Sequence, residues 1–205
     1  MVCSEDTLSH ATVKVILDAP PRVEQDVRNE VRSQAVTDFV DHVERERRFI
    51  VRDTSIVAGA PWEEITQGYV FSLDGFAIRV RLIRQLDASG ALLASRAWLT
   101  GKGPRIGASR QEYDSEVSLQ WAAEVIARCA NVVRKRRYQV ITDQTWEVDE
   151  FLDANAGLWI AELEGGDEIF RVHLPAWAAS EIRDDRRFDN EELAVRPFAS
   201  WTAEH

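Results

Sequence analysis

The chain has 205 residues and 45% apolar content, enough for one packed domain with an extension. Twenty-five Lys and Arg stand against 35 Asp and Glu, a formal net charge of −10, which excludes general binding to nucleic-acid phosphates as the main task. No apolar run approaches the ~18–20 residues of a membrane span, and Met1 to His10 has no signal-peptide pattern, so a cytoplasmic protein is expected.

Along the chain, Thr12 to Leu17 alternates as a short strand and Asp18-Ala19-Pro20-Pro21 interrupts it. Val23, Val27, Val31, Ala35, Phe39 and Val43 then recur at mostly four-residue steps, the spacing of an amphipathic helix. Residues 1–42 therefore read as an N-terminal extension of a short strand plus a helix. That helix either packs on the main domain or offers a surface to a second copy or another protein. Cys3 and Cys129 lie in no close Cys-x-x-Cys spacing and read as reduced thiols.

Residues 43–205 form the main domain, where period-two strands dominate: Val43 to Val51, Gly68 to Leu73, Phe76 to Arg84, Ala91 to Lys102, Arg110 to Val117, Val132 to Thr142, Thr145 to Phe151 and Leu158 to Glu164. Asp74-Gly75, Ser89-Gly90 and Ala156-Gly157 supply turns. Ser118 to Asn131 has helical spacing, and Pro175 to Ile182 is predicted as a short helix opening on proline. The expected class is α+β, mainly β: an eight-stranded antiparallel barrel with helices packed outside.

Side chains two apart on a strand share a face, so each strand can be divided into two lists. Glu44, Glu46 and Arg48 share one side of the first strand, and Arg79 and Arg81 oppose Ile78 and Val80 in the third. Glu112 with Asp114, Lys135 with Arg137, Glu147 with Asp149 and Glu162 with Glu164 repeat the pattern, and Lys102 joins from the fourth strand. A charged side in water explains any one strand. Taken together, however, whole strands contribute two like charges one residue apart, which repel unless opposite charge lies between them. If that side faces inward, the lumen holds about eight carboxylates and a similar number of cations, a costly enclosure unless compensated. Carboxylates without nearby His or Cys suit Mg²⁺ or Mn²⁺, and Arg and Lys in numbers suit phosphate.

The same residues resemble a known series. Glu44-Arg45-Glu46-Arg47-Arg48 is similar to the Glu-x-Glu-x-Lys opening of the CYTH domain, the triphosphate tunnel metalloenzyme superfamily. Ile65-Thr66-Gln67-Gly68-Tyr69 resembles the segment before its second strand. Arg79-Val80-Arg81, Leu99-Thr100-Gly101-Lys102, Arg110-Gln111-Glu112-Tyr113-Asp114, Lys135-Arg136-Arg137-Tyr138, Glu147-Val148-Asp149, Glu162-Leu163-Glu164 and Asp185-Arg186-Arg187-Phe188-Asp189-Asn190 follow in the expected order.

The resemblance implies a tunnel acting on triphosphate-containing substrates with Mg²⁺ or Mn²⁺. It implies Glu44, Glu46, Asp149, Glu162 and Glu164 as metal-side carboxylates, with Glu44, Glu46 and Arg48 at catalytic positions. Arg79, Arg81, Lys102, Lys135, Arg137 and Arg187 are implied to hold the triphosphate; Arg187 also reads as a surface charge. Glu112, Asp114 and Glu147 are implied as supports or second-metal candidates, Glu112 reading equally as a partner of the unassigned Arg110. Arg48 stands where the family has Lys, and Phe188 and Asp189 where it has Tyr with Ser. The leading expectation is hydrolysis of inorganic triphosphate or short polyphosphate. Alternatives are a thiamine triphosphatase or class IV-type adenylyl cyclase, for which Trp62, Tyr69, Trp98 and Trp177 read either as ring stackers or as core. A non-catalytic polyphosphate or nucleotide sensor that signals through residues 1–42 is a third.

Overall fold

The computed structural model describes residues 40–106 and 109–201, without the side chains of residues 40–44. Of the strand and helix expected over residues 1–42, the part before Val40, with any partner surface on it, lies outside the described residues, while Val40 to Val43, where the helical spacing ends, belong to the first strand. Nine strands follow: β1 (Val40–Val51), β2 (Trp62–Leu73), β3 (Phe76–Leu86), β4 (Leu92–Lys102), β5 (Ser109–Glu116), β6 (Asn131–Ile141), β7 (Thr145–Phe151), β8 (Trp159–Glu164) and β9 (Ala178–Ile182). Two helices accompany them, α1 (Leu119–Ile126) and α2 (Asn190–Val195). Among the described residues no helix is long and apolar enough to cross a membrane.

All pairings are antiparallel in the order β5-β4-β3-β2-β6-β7-β8-β1, and a β1–β5 pairing closes the barrel. Closure divides one edge of β1. Residues Val40 to Arg45 pair with β5, and Arg48 to Val51 pair with β9, while the other edge meets β8. The hairpin between β2 and β3 turns on Asp74 and Gly75, both at positive φ (51° and 84°), as a two-residue turn matched to strand twist requires.

Two expectations are corrected here. Pro175 to Ile182 is not a helix: its second half is β9, where Ala178 and Ile182 are buried and the backbone covers the stretch of β1 that β5 leaves unpaired. β2 begins at Trp62 rather than Gly68, so the segment expected before that strand lies inside it. Gly68 is a close approach, not a boundary: a Cβ there would meet Cys129 Sγ at 2.8 Å.

The barrel has two differently packed faces. Outside, Trp146 meets Phe49 and Trp177 edge-on at ring-centroid distances of 5.6 and 5.2 Å, in a cluster with Val148, Ala161 and Leu163. A second outer cluster sets Ala122 of α1 on Val80 and Ala97, and Ser118 caps that helix by accepting from the Trp121 amide. Inside, the charged positions line the lumen, and one end is plugged. Leu193 of α2 is fully buried with Val133, Phe151 and Ile160, which share a strand face with Arg137, Asp149 and Glu162 respectively. Leu193→Ala is expected to cost ~2–5 kcal/mol, read as a lowered urea midpoint; an unchanged midpoint would contradict the plug.

Candidate active site

A cavity of about 270 Å³ occupies the lumen. Eight carboxylates line it, Glu46, Glu112, Asp114, Glu147, Glu162, Glu164, Asp189 and Glu191, against seven cations, Arg48, Arg79, Arg81, Lys102, Arg105, Arg110 and Arg137. Alternation turns the strand-borne members inward, away from the outer clusters, while Arg105 comes from the loop after β4 and Asp189 and Glu191 from the start of α2.

The carboxylates gather where β7, β8 and β1 adjoin. Glu147 stands opposite Glu162, and Glu46 opposite Glu164. Arg105 donates to Glu46 at 2.7 Å, and Arg137 reaches Glu147 and, at 2.5 Å, Glu162. Among the described residues no three acidic, His or Cys groups are drawn together as a ready cation cage. The donor set is nevertheless oxygen-only, with four glutamates on three adjacent strands, the chemistry that a hard divalent cation takes.

Arg137 is the most heavily held cation. Its Nε and Nη2 grip Asp149 in a fork, both at 2.7 Å, and Lys135 binds the same carboxylate at 2.5 Å. Burial by itself would raise the Asp149 carboxyl, but the Arg137 and Lys135 charges outweigh it and hold the group well below the usual carboxylate range. Burial also pulls Lys135 down, helped by Arg137, against the pull of Asp149.

Arg79 and Arg81 are the opposite case. Arg79 reaches Glu112 only at 4.0 Å, and Arg81 has no hydrogen-bond or ion-pair partner among the described residues. The Nε of each is buried and unsatisfied. Burial, with repulsion from Arg79 and Arg137, brings the Arg81 guanidinium down to about 9, still charged at neutral pH.

At the plugged end, Arg110 donates to the Gly103 and Gly75 carbonyls at 2.7 and 3.0 Å and pairs with Glu191 at 3.0 Å. Burial would raise Glu191, but Arg110 holds it below the usual range; burial and the Glu191 charge push the Tyr69 hydroxyl up. Arg48 pairs with Asp189 at 2.9 Å and donates to the Phe188 carbonyl at 3.1 Å.

Most of the residues singled out in the sequence meet here: Glu46, Arg48, Arg79, Arg81, Lys102, Glu112, Asp114, Arg137, Glu147, Glu162 and Glu164 all line one cavity. Lys102 pairs with Glu112, and Thr100 donates to Asp114 at 2.6 Å. Four stand elsewhere. Asp149 and Lys135 face each other behind the lining, with side chains fully enclosed. Arg187 lies outside the cavity, paired with Asp185 at 2.7 Å and set over the Trp201 ring. Glu44 pairs through its backbone with Arg110, its side chain being outside the described set. Of the four aromatic candidates, Trp98 lines the cavity, Tyr69 is buried and Trp177 belongs to the outer core. Trp62 packs partly into that outer core and also borders a mouth between β2, β3 and β6. Arg110 shares a strand face with Glu112 and Asp114, so the period-two argument places it inward as well; Arg105 and Glu191 carry no such signal.

No family model matches the chain. An inorganic triphosphatase from Acetivibrio thermocellus is 34% identical over 161 residues, covering 77% of this chain and 97% of the relative. The chain belongs to the inorganic triphosphatase family, of the CYTH type. The tunnel fold of this family is shared with the crystal structure of the inorganic triphosphatase NE1496, at TM-score 0.53 and 24% identity over 74% of this chain and 94% of that one. A second structure, described as the hypothetical protein NE1496, aligns at TM-score 0.52 and 25% identity over 74% and 97% of the two chains.

The Asp149 cluster predicts an acid response for this family member. Its folded pKa lies below the ~3.9 of a free Asp, so its stabilisation is complete above that value and is lost as pH falls through the folded pKa. Urea unfolding is expected to show stability declining below about pH 4. Asp149→Asn should flatten that decline and cost ~3–5 kcal/mol at neutral pH, because Lys135 loses its enclosed counter-charge. An unaltered neutral-pH midpoint in this variant would overturn the assignment.

Proposed function

We propose that the tunnel hydrolyses inorganic triphosphate, or a short linear polyphosphate, with Mg²⁺ or Mn²⁺. One observation carries this reading: Arg81 has a buried, unsatisfied Nε and no hydrogen-bond or ion-pair partner among the described residues, beside an Arg79 paired only at 4.0 Å. A small polyanion supplies that missing charge, and its oxygens suit the two-pronged guanidinium grip. The name of the Acetivibrio thermocellus relative supports the same substrate. A phosphate chain in this lumen also lies beside four glutamates, and a divalent cation between them removes the repulsion. Glu46, Glu147, Glu162 and Glu164 are the groups that would hold it.

When bound, the cation supplies charge neutralisation on phosphate oxygens during in-line displacement by water. The chain's own residues do the rest by positioning. Arg79 and Arg81 fix the phosphate chain, and Arg137, clamped by Asp149, presents a rigid cation to it. Arg48 has its charge held by Asp189 and the Phe188 carbonyl, so its part is electrostatic and structural rather than proton transfer.

Phosphate release from inorganic triphosphate is expected with either metal and is abolished by chelator. Arg81→Ala is expected to lower kcat by roughly 10²–10³, by analogy with loss of a preorganised transition-state donor. Glu162→Gln with Glu164→Gln should remove the response to metal and the metal-binding heat in calorimetry. Full activity in chelator, or pyrophosphate with cyclic AMP from ATP as the main products, overturns the proposal.

A further inference from the structure

The C-terminal plug carries negative charge into a tunnel built to hold anions. Asp189 and Glu191 are more than nine-tenths buried, and each takes one of the tunnel's own cations, Asp189 at 2.9 Å from Arg48 and Glu191 at 3.0 Å from Arg110. Both also border a smaller cavity of about 210 Å³, lined further by Arg105, Arg110 and Arg186. Space and positive charge therefore continue past them beside the plug. Asp74 borders the smaller cavity alone, whereas Asp189 and Glu191 are the two carboxylates that line both cavities and so stand on the passage between them.

The other end differs. Arg137 lines both the lumen and the mouth cavity beside Trp62, and the one carboxylate there, Glu63, accepts from Gln85 at 2.9 Å. From that mouth, β3 leads inward from Gln85 through Arg81 to Arg79, whose register partner Tyr69 feels the Glu191 charge.

We propose that Asp189 and Glu191 are an electrostatic end stop. They make the tunnel single-ended, so a phosphate chain enters from the Trp62 mouth by its terminus and is cut at a constant distance from that terminus instead of threading through. This rests on the triphosphatase reading, and the two are separable. Failure of the wild type to release phosphate from triphosphate sinks that reading, whereas the end stop is read from the products of longer chains.

The test is early product analysis of linear octaphosphate by anion exchange, beside triphosphate turnover. The wild type is expected to give no mid-length fragments. Asp189→Asn with Glu191→Gln, which removes charge at nearly constant volume, is expected to produce them and to raise the octaphosphate-to-triphosphate ratio of kcat/KM roughly tenfold or more. Should the double variant fail to fold, Glu191→Gln alone, with the Arg48–Asp189 pair intact, is expected to shift the ratio in the same direction. Mid-length fragments from the wild type, or an unchanged pattern and ratio in a folded variant, overturns the end stop.

Discussion

A charge enclosed by protein must find a counter-charge or be driven neutral, and nearly every feature of this barrel follows from that requirement. Eight acids and seven cations share one lumen, so each stable contact in it is a solution to a local charge problem. Asp149 is the fullest solution, a carboxylate gripped by two cations and sealed from water. Arg81 is the exception. Since the outer clusters already supply a core, the stability of the fold does not depend on this arginine being satisfied, and its missing partner is better read as a binding requirement than as a packing fault.

Two of the three departures from the sequence pattern that this chain resembles, Arg48 and Asp189, explain one another. Arg48 replaces a lysine and Asp189 a serine, and in the folded chain these two side chains form a single ion pair. The longer, forked guanidinium also reaches the Phe188 carbonyl. Neither change is intelligible alone from sequence, because 141 positions separate residue 48 from residue 189. Together they fasten the first strand to the terminal plug.

Strand alternation makes the barrel and most of its lining legible in the sequence, because a period of two fixes which side chains share a face whatever the register. It places Glu46, Glu162, Arg79 and Arg137 on one surface, and closure of β1 on β5 turns that surface into a lumen. It does not separate cavity-facing from pair-forming members of that set: Lys135 and Asp149 have the right parity but satisfy each other. Gly68 misleads because a glycine kept small for a neighbouring helix looks like a strand boundary. β9 escapes the pattern because its conformation is set by an unpaired stretch of β1 and not by its own alternation, which spans only five residues. Glu191 leaves no signal, since an acid in a six-residue helix reads as surface until the fold turns it inward.

The divided edge of β1 has a consequence for how the protein is made. That strand comes early in the chain, yet its partners β8 and β9 and its Arg48 contact lie more than a hundred residues later. Such distant pairing makes folding slow and leaves the second half of β1, Glu46 to Val51, without strand partners until the C-terminal third has emerged from the ribosome. The lumen therefore comes into being late, and a chain cut short before α2 is left with a tunnel open at both ends.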